Sequence, residues 1–274
     1  MSRYCLVLAE QPHRLVFAEA VEALVWGLRE LAHEVEASTL PHPHARNIIF
    51  APHLLLASEE NPRIEPGTIV YNGEPWCSPL FVRSLRLLGH PNVIAWDYWR
   101  RTTEFLLGLG IPARTLPYAW APSLERRRGE HETARDVDVL FMGSFSPRRG
   151  RVLEEIRRLA PDLCLHTLSG TYGAERDAWL LRSKVCLNVH YWDDGGNEDL
   201  RIVYACANRV AVVSEGPAEE AHREPWALWA PYAEVAQTAV EAVRSGEWKR
   251  QAARGYAAVQ FHDAATLLRS VLED

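Results

Sequence analysis

No stretch of this 274-residue chain approaches the run of ~18 apolar residues that a membrane-spanning helix requires, so no membrane span is expected. The five cysteines (Cys5, Cys77, Cys164, Cys186 and Cys206) contain no CxxC pair. Four of them fall within apolar strand or helix patterns, where free cysteine behaves as a small hydrophobe. The expectation is reduced thiols in a cytoplasmic protein. The chain also has no excess of basic residues. Its net charge of −6 and pI near 6.0 argue against a surface built for non-specific nucleic-acid binding. Internal repeats and low-complexity tracts are absent. His42, His44 and His53 follow no register that would converge them, and no nearby Cys or carboxylate completes a tetrahedral set, so no metal site is expected. The first residues, MSRYCLVLAE, enter a strand pattern directly, without the pattern of a secretory leader.

The remaining composition is that of an ordinary soluble globular protein, 47% hydrophobic and 24% charged. Ten tryptophans are many, enough to fill cores and to line an interface or an acceptor surface. Short apolar runs at 4–9, 48–50, 68–71, 93–96 and 114–117 read as strands. Helical spacing separates them at Val21 to Leu31, Leu80 to Leu88 and Tyr98 to Leu109. Strands alternating with helices indicate a parallel sheet covered on both faces. The segment 121–136, APSLERRRGEHETARD, is polar, highly charged and contains Pro and Gly, which marks a linker. A second α/β series follows: strands at 137–142, 162–166, 184–190 and 209–213, helices at 148–160, 174–182 and 197–207, then an Ala-rich helical tail. The expected organisation is a first domain over 1–122, a linker over 123–136 and a second domain over 137–274.

Two segments carry chemistry. VLFMGSFSPRRG at 139–150 is an apolar strand, a small-residue turn at Gly143 and Ser144, and a helix start. Such a junction offers backbone N–H groups to an anion, and Arg148 and Arg149 add the forked charge that phosphate oxygens favour. LNVHYWDDGGNE at 187–198 is a second strand ending at His190, then an acidic, Gly-rich loop, then Glu198 and Arg201 one turn apart on a new helix. In open α/β sheets ligands bind beyond the carboxyl ends of strands, where both segments would lie. A nucleoside diphosphate fits that pair.

VLFMGSFSPRRG resembles the first strand and turn of the donor domain in GT-B glycosyltransferases of the retaining, glycogen-synthase-like group (family 4/1-like). Its G-R-x-x-x-x-K-G run is matched at Gly143, Arg149 and Gly150, with Arg for Lys, and Ser144 stands where the first basic residue is expected. His190 and Glu198 reproduce the spacing of that group's Glu-x7-Glu motif, with His at the first position. YNGEPW, WDYW, LPYAWAP and YGAERDAWLLRSKVCLNVH resemble poorly characterised bacterial and phage-associated glycosyltransferases, so the likeness covers about residues 68–215. It implies an α/β GT-B fold, two Rossmann-like parallel-sheet domains facing across a cleft, the last helix crossing back to the first domain. It further implies transfer of a hexosyl or pentosyl group from a nucleoside diphosphate sugar, UDP-sugar favoured, to a hydroxyl acceptor. Glu198 would then meet the ribose, Arg201 the diphosphate, His190 the donor sugar, and Tyr172 the nucleobase. The family generally needs no catalytic metal, and the one DxD of this chain, Asp136-Val137-Asp138, enters a strand instead of ending one. No cofactor is implied besides the nucleotide sugar.

The first domain supplies candidates for proton chemistry: Glu10 and His13 after the first strand, Glu74 after YNG, and Asp97 after VIAW. A retaining enzyme would depend more on electrostatic support of the leaving diphosphate. The AEQPHR stretch stands where related retaining enzymes have a Gly-rich loop, which leaves the stereochemistry open. The acceptor is a small molecule, a glycan or DNA. Two alternatives stand beside this reading: a DNA-modifying glycosyltransferase acting on a hydroxymethylated pyrimidine, and a non-catalytic GT-B module that binds nucleotide or a partner. The oligomeric state is not encoded in any motif.

Overall fold

The computed structural model describes residues 1–10, 14–58, 60–126, 134–193, 198–217 and 221–272. Candidate residue His13 and residues 127–133 of the expected linker lie outside these. The chain divides into two compact units. Met1–Ala121 and the stretch from Asp263 onward form the first, and Pro122–His262 the second.

The first unit is a six-stranded parallel sheet in the order β2-β1-β3-β4-β5-β6. Its strands are β1 (Arg3–Val7), β2 (Glu34–Ser38), β3 (Arg46–Phe50), β4 (Thr68–Asn72), β5 (Val93–Asp97) and β6 (Ala113–Thr115). The helices are α1 (Ala18–Glu30), α2 (Pro52–Ser58), α3 (Pro79–Leu88) and α4 (Arg100–Gly108). A central parallel strand is covered on both faces and must be apolar along its whole length. β3 and β4 meet that requirement, with Ile48, Ile49, Phe50, Ile69, Val70 and Tyr71 all fully buried. Each such aliphatic or aromatic side chain contributes roughly 1.5–3 kcal/mol of burial free energy. The last helix, α10 (Ala264–Leu272), belongs to this unit. It lies against α1 so closely that a Cβ at Gly27 would sit 2.7 Å from the Ala264 carbonyl carbon. Arg114 fixes the end of α10 by donating from Nη1 to the Val271 carbonyl at 2.6 Å.

The second unit is a five-stranded parallel sheet in the order β11-β10-β9-β7-β8. Its strands are β7 (Val137–Met142), β8 (Leu165–Leu168), β9 (Ser183–Asn188), β10 (Ala211–Glu215) and β11 (Leu228–Ala230). The helices are α5 (Pro147–Leu159), α6 (Gly173–Leu181), α7 (Asp199–Ala207), α8 (Val235–Ser245) and α9 (Glu247–Val259). Val139, Phe141, Val185, Leu187, Ala211 and Val213 form the buried middle of the sheet, packed on Val152, Ile156, Ala239 and Val240. Ser146 caps α5 by accepting the Arg149 N–H at 3.3 Å, and Pro147 opens the helix where its missing N–H costs nothing. The strand read at 162–166 begins later, at Leu165, because Leu163 first closes a turn onto the Ala160 carbonyl. None of the five cysteines is in a disulfide, and burial pushes Cys5 up to about 11 and Cys186 up to about 12.

Candidate functional site

Register decides which side chains meet at the carboxyl edge of the second sheet. Phe141 pairs with Leu187, Asn188 with Ser214, and Glu215 with Ala230. Met142, Asn188 and Glu215 therefore end their strands side by side, and the next residues of each chain segment build the site. Asn188 and Ser214 are tied by a hydrogen bond of 3.0 Å.

Arg149 lies at the centre and is only 2% exposed. Its Nε donates to the Val189 carbonyl at 2.9 Å and its Nη1 to the Ser144 carbonyl at 2.8 Å. Its Nη2 pairs with Glu198. Arg201 approaches the same carboxylate from the first turn of α7, and its Nη1 donates to Asn188 Oδ1 at 2.6 Å. Glu198, the residue that starts α7, is thus clasped by two guanidinium groups. Burial opposes its ionisation, but Arg201, Arg149 and His190 outweigh burial and hold the carboxyl below the ordinary Glu value. Burial lowers Arg149 to about 10, so it remains cationic at neutral pH.

Gly143 explains how both guanidinium groups reach one place. Its φ is +153°, and a Cβ there would stand 2.6 Å from Arg201 Nη2 and 3.4 Å from Arg149 Nη1. Absence of a side chain lets two cations lie against the backbone of the strand-to-helix turn, at the N-terminal end of α5. The exposed Ser144 contributes only a carbonyl to this arrangement.

Arg148 has other partners than the phosphate oxygens expected of it. Its guanidinium forks onto Glu215, donates from Nε to Asp193 at 2.6 Å, and lies 3.9 Å over the Tyr232 ring. Glu215 also accepts the His190 backbone N–H at 3.0 Å, and His190 Nδ1 stands 3.8 Å from it. His190 is therefore oriented by the carboxylate at the end of β10. Tyr172 starts α6 at the same sheet edge, half-buried, four residues past the end of β8.

The first-unit candidates separate into distinct settings. Asp97 is fully buried at the end of β5, where it accepts from Asn72 Nδ2 at 2.7 Å and from the Trp99 N–H at 2.7 Å. Burial outweighs these hydrogen bonds and pushes its carboxyl up to about 8. Glu74 is partly exposed and accepts from Ser78 at 3.0 Å. Glu10 pairs with Arg14 at 2.8 Å. His42, His44 and His53 do not join in a ligand set: among the described residues, no group of three or more His, Cys, Asp or Glu is placed to hold a metal. No described helix is long and apolar enough to cross a membrane.

Sequence reasoning missed Glu215 and Asn188. Glu215 and Asn188 each close an apolar run at a strand end, as AVVSE and VCLN show, which is the one signal that marks them. Their partners lie far away in sequence, 67 residues for Arg148–Glu215, and only the sheet order joins them.

No family model matches the chain. A stretch of 62 residues is 37% identical to an uncharacterized protein of Acanthamoeba polyphaga mimivirus, covering 23% of this chain and 7% of that one. The chain thus matches under a tenth of that relative's length. Solved structures align along nearly the whole chain. AviGT4, a glycosyltransferase involved in avilamycin A biosynthesis, has a TM-score of 0.58 at 15% identity, covering 100% of this chain and 96% of its own. An alpha-glucosyltransferase in complex with UDP and a mismatch-containing DNA 13-mer has a TM-score of 0.58 at 9% identity, with 100% and 99% coverage. A UDP-forming trehalose-phosphate synthase from Burkholderia xenovorans has a TM-score of 0.54 at 12% identity, with 95% and 77% coverage. Two parallel α/β sheet units with a returning C-terminal helix and these alignments define the class: the chain has the GT-B fold. At such identities the likeness speaks for fold, and function rests on the site.

Proposed function

We propose that this chain is a glycosyltransferase that moves a sugar from a nucleoside diphosphate sugar to a hydroxyl acceptor, with the donor held by the second unit and the acceptor by the first. The convergence of Arg149 and Arg201 on the backbone at Gly143 carries this reading. Breaking the bond between sugar and diphosphate places negative charge on the departing phosphate oxygens. Two fixed guanidinium forks at a helix N-terminus stabilise that charge without transferring a proton. In this reading the incoming diphosphate takes over donors that now serve Glu198, and Glu198 accepts from the ribose hydroxyls instead. His190, held by Glu215, faces the sugar, and Tyr172 the base. The cations supply the neutralisation that a divalent metal gives elsewhere. UDP is the preferred nucleotide, a choice supported by fold neighbours that hold or form UDP. The enzyme works in the cytoplasm, in keeping with five cysteines that form no disulfide.

Calorimetric titration of UDP, ADP and GDP tests the donor site. UDP should bind, and Arg149→Ala should weaken it. Failure of all three nucleotides to bind wild type removes the reading, and hydrolysis of UDP-sugar without acceptor separates an enzyme from a binding module.

A further inference from the structure

Arg148 and Arg149 are neighbours in the first turn of α5, yet each builds its own cluster at the carboxyl edge of the second sheet. They donate to consecutive carbonyls just past β9, Arg149 to that of Val189 at 2.9 Å and Arg148 to that of His190 at 3.3 Å. The clusters therefore lie side by side within the second unit, and their charges are opposite. Arg149 and Arg201 share one carboxylate, Glu198, which leaves an excess of positive charge. Arg148 faces two, Glu215 and Asp193, which leaves an excess of negative charge. Among the described residues no other Arg or Lys pairs with either carboxylate, and the exposed Arg151 reaches only the Tyr232 hydroxyl, at 3.4 Å. Burial would lower Arg148, but Glu215 and Asp193 outweigh it and hold the guanidinium above its ordinary value.

The Arg148 cluster is fastened at one end and open at the other. The Arg148 side chain is 11% exposed, forks onto Glu215 at the end of β10, and lies over the Tyr232 ring. The Tyr232 hydroxyl in turn donates to the Arg148 carbonyl at 2.9 Å. Through the His190 carbonyl and the Asp193 carboxylate, one guanidinium holds the segment from His190 to Asp193 at both ends. Between them the Tyr191 ring lies 5.2 Å from the Arg149 guanidinium, so the segment passes from one cluster to the other. The Asp193 side chain is 89% exposed. Among the described residues only its Oδ1 is engaged, by Arg148 Nε at 2.6 Å, which leaves Oδ2 for a ligand.

A diphosphate seated on Arg149 and Arg201 carries a nucleoside at one end and a sugar at the other. With the ribose at Glu198 and the sugar at His190, the sugar lies beside the negative cluster. A carboxylate fixed by an arginine accepts strongly from hydroxyls, and it opposes a second carboxylate.

We propose that Asp193, held in place by Arg148 and Glu215, is a specificity-determining residue for the donor sugar. It accepts from a sugar hydroxyl and disfavours a sugar that carries its own carboxylate, so the donor is a neutral sugar nucleotide and not a uronate. Arg148 is then a positioning residue rather than a phosphate ligand. The assignment rests on the glycosyltransferase reading of the Arg149 cluster.

UDP-glucose and UDP-glucuronate differ only at C6, a hydroxymethyl group in one and a carboxylate in the other, and calorimetric titration of both into the full chain tests the charge directly. Wild type should bind UDP-glucose at least about fivefold more tightly. Asp193→Asn should narrow that gap about three- to fivefold, the size of one exposed charge interaction, and leave UDP within about twofold. About 1 M salt, which screens charges beyond ~3 Å, should narrow the wild-type gap as well. Arg148→Ala should weaken UDP-glucose about tenfold while UDP stays within about threefold, a split that general loosening of the fold does not produce. Where that variant fails to fold, Asp193→Asn on its exposed side chain still decides the matter. Equal or tighter binding of UDP-glucuronate by wild type overturns the proposal, as does a gap unchanged in Asp193→Asn. Binding of UDP with neither sugar nucleotide bound overturns it too. Equal loss of UDP and UDP-glucose in Arg148→Ala returns Arg148 to the phosphate. Failure of UDP itself to bind wild type is a different outcome, which defeats the donor reading and this assignment together.

Discussion

Glu198 and Arg149, 49 residues apart in the chain, meet in an ion pair whose guanidinium is 2% exposed. Arg149 also satisfies two backbone carbonyls, those of Val189 and Ser144. It is therefore part of the fabric of the turn as well as the cation proposed to meet the donor. The same holds less strongly for Arg201, which donates to the Asn188 side chain and lies over the Phe141 ring.

Arg149→Ala should cost activity and stability together. Turnover falls by roughly the 10²- to 10³-fold typical of losing a charge partner in the transition state. Stability falls by about 3–5 kcal/mol, because a buried pair is broken and two carbonyls lose their donor. Burial at 2% exposure is what makes the fold sensitive to this change. Thermal melts beside UDP titrations check it, and a variant with wild-type turnover removes Arg149 from the site.

Glu198 is tested by a double-mutant cycle. If it turns to the ribose on donor binding, Glu198→Gln weakens UDP by about 1.5–3 kcal/mol, the range for a hydrogen bond to a charged group. 2′-Deoxy-UDP then loses part of that energy with wild type and little more with the variant. Fully additive losses show that Glu198 and the ribose never meet. In that case the carboxylate serves only to clasp Arg149 and Arg201.

Most of the fold was legible because central parallel strands must be apolar throughout. Ile48 to Phe50, Thr68 to Tyr71 and Val137 to Met142 stand out for that reason. β2 did not, since EVEAS is an edge strand with no fully buried residue and two carboxylates among its five residues. β11, with three residues, and α2, with seven, are too short to show a period. Of the site, Gly143, Arg149, Glu198 and Arg201 could be found because each sits at a strand or helix end with a recognisable turn. What Arg148 does could not, because Glu215 is brought to it only by the adjacency of β10 and β9. Asp97 was visible as a strand-end carboxylate; its burial beneath Asn72 and Trp99 was not.

Asp97 gives the wild-type protein a characteristic pH dependence. Its carboxyl is pushed up to about 8 in the fold, chiefly by burial, and returns to about 3.9 when the chain unfolds. Between those values the folded state binds the extra proton, so stability falls as pH rises, by at most about 1.4 kcal/mol per pH unit. Melting temperatures from pH 5 to 8 should decline in wild type. Asp97→Asn cannot ionise, so its curve should be flatter over the same range, whatever its absolute stability. Parallel slopes for the two proteins rule out a protonated Asp97.

Chelation separates cationic from metal-assisted leaving-group stabilisation. With Arg149 and Arg201 supplying the charge, excess EDTA should leave turnover within about twofold, an allowance for weak ion effects on diphosphate release. Complete loss that Mg²⁺ or Mn²⁺ restores overturns this and directs attention to Asp193, which now pairs with Arg148.

Gly143→Ala isolates the donor turn from the rest of the fold. The added methyl would lie 2.6 Å from Arg201 Nη2, closer than real Cβ contacts come, and φ of +153° disfavours any side chain. Arg201 is the flexible partner in that clash, so its guanidinium swings away while the buried Arg149 stays in place. The stability cost should be about 1–3 kcal/mol, that of one strained backbone position. UDP affinity should fall by roughly tenfold or more, through loss of a charge-assisted hydrogen bond from Arg201. Arg201→Ala should weaken UDP by a similar factor, and the double variant should be little worse than either single one, because both remove the same contact. Titration of UDP into the three proteins decides the matter: if the two losses add in full, Gly143 acts on the nucleotide through its own backbone and not by making room for Arg201.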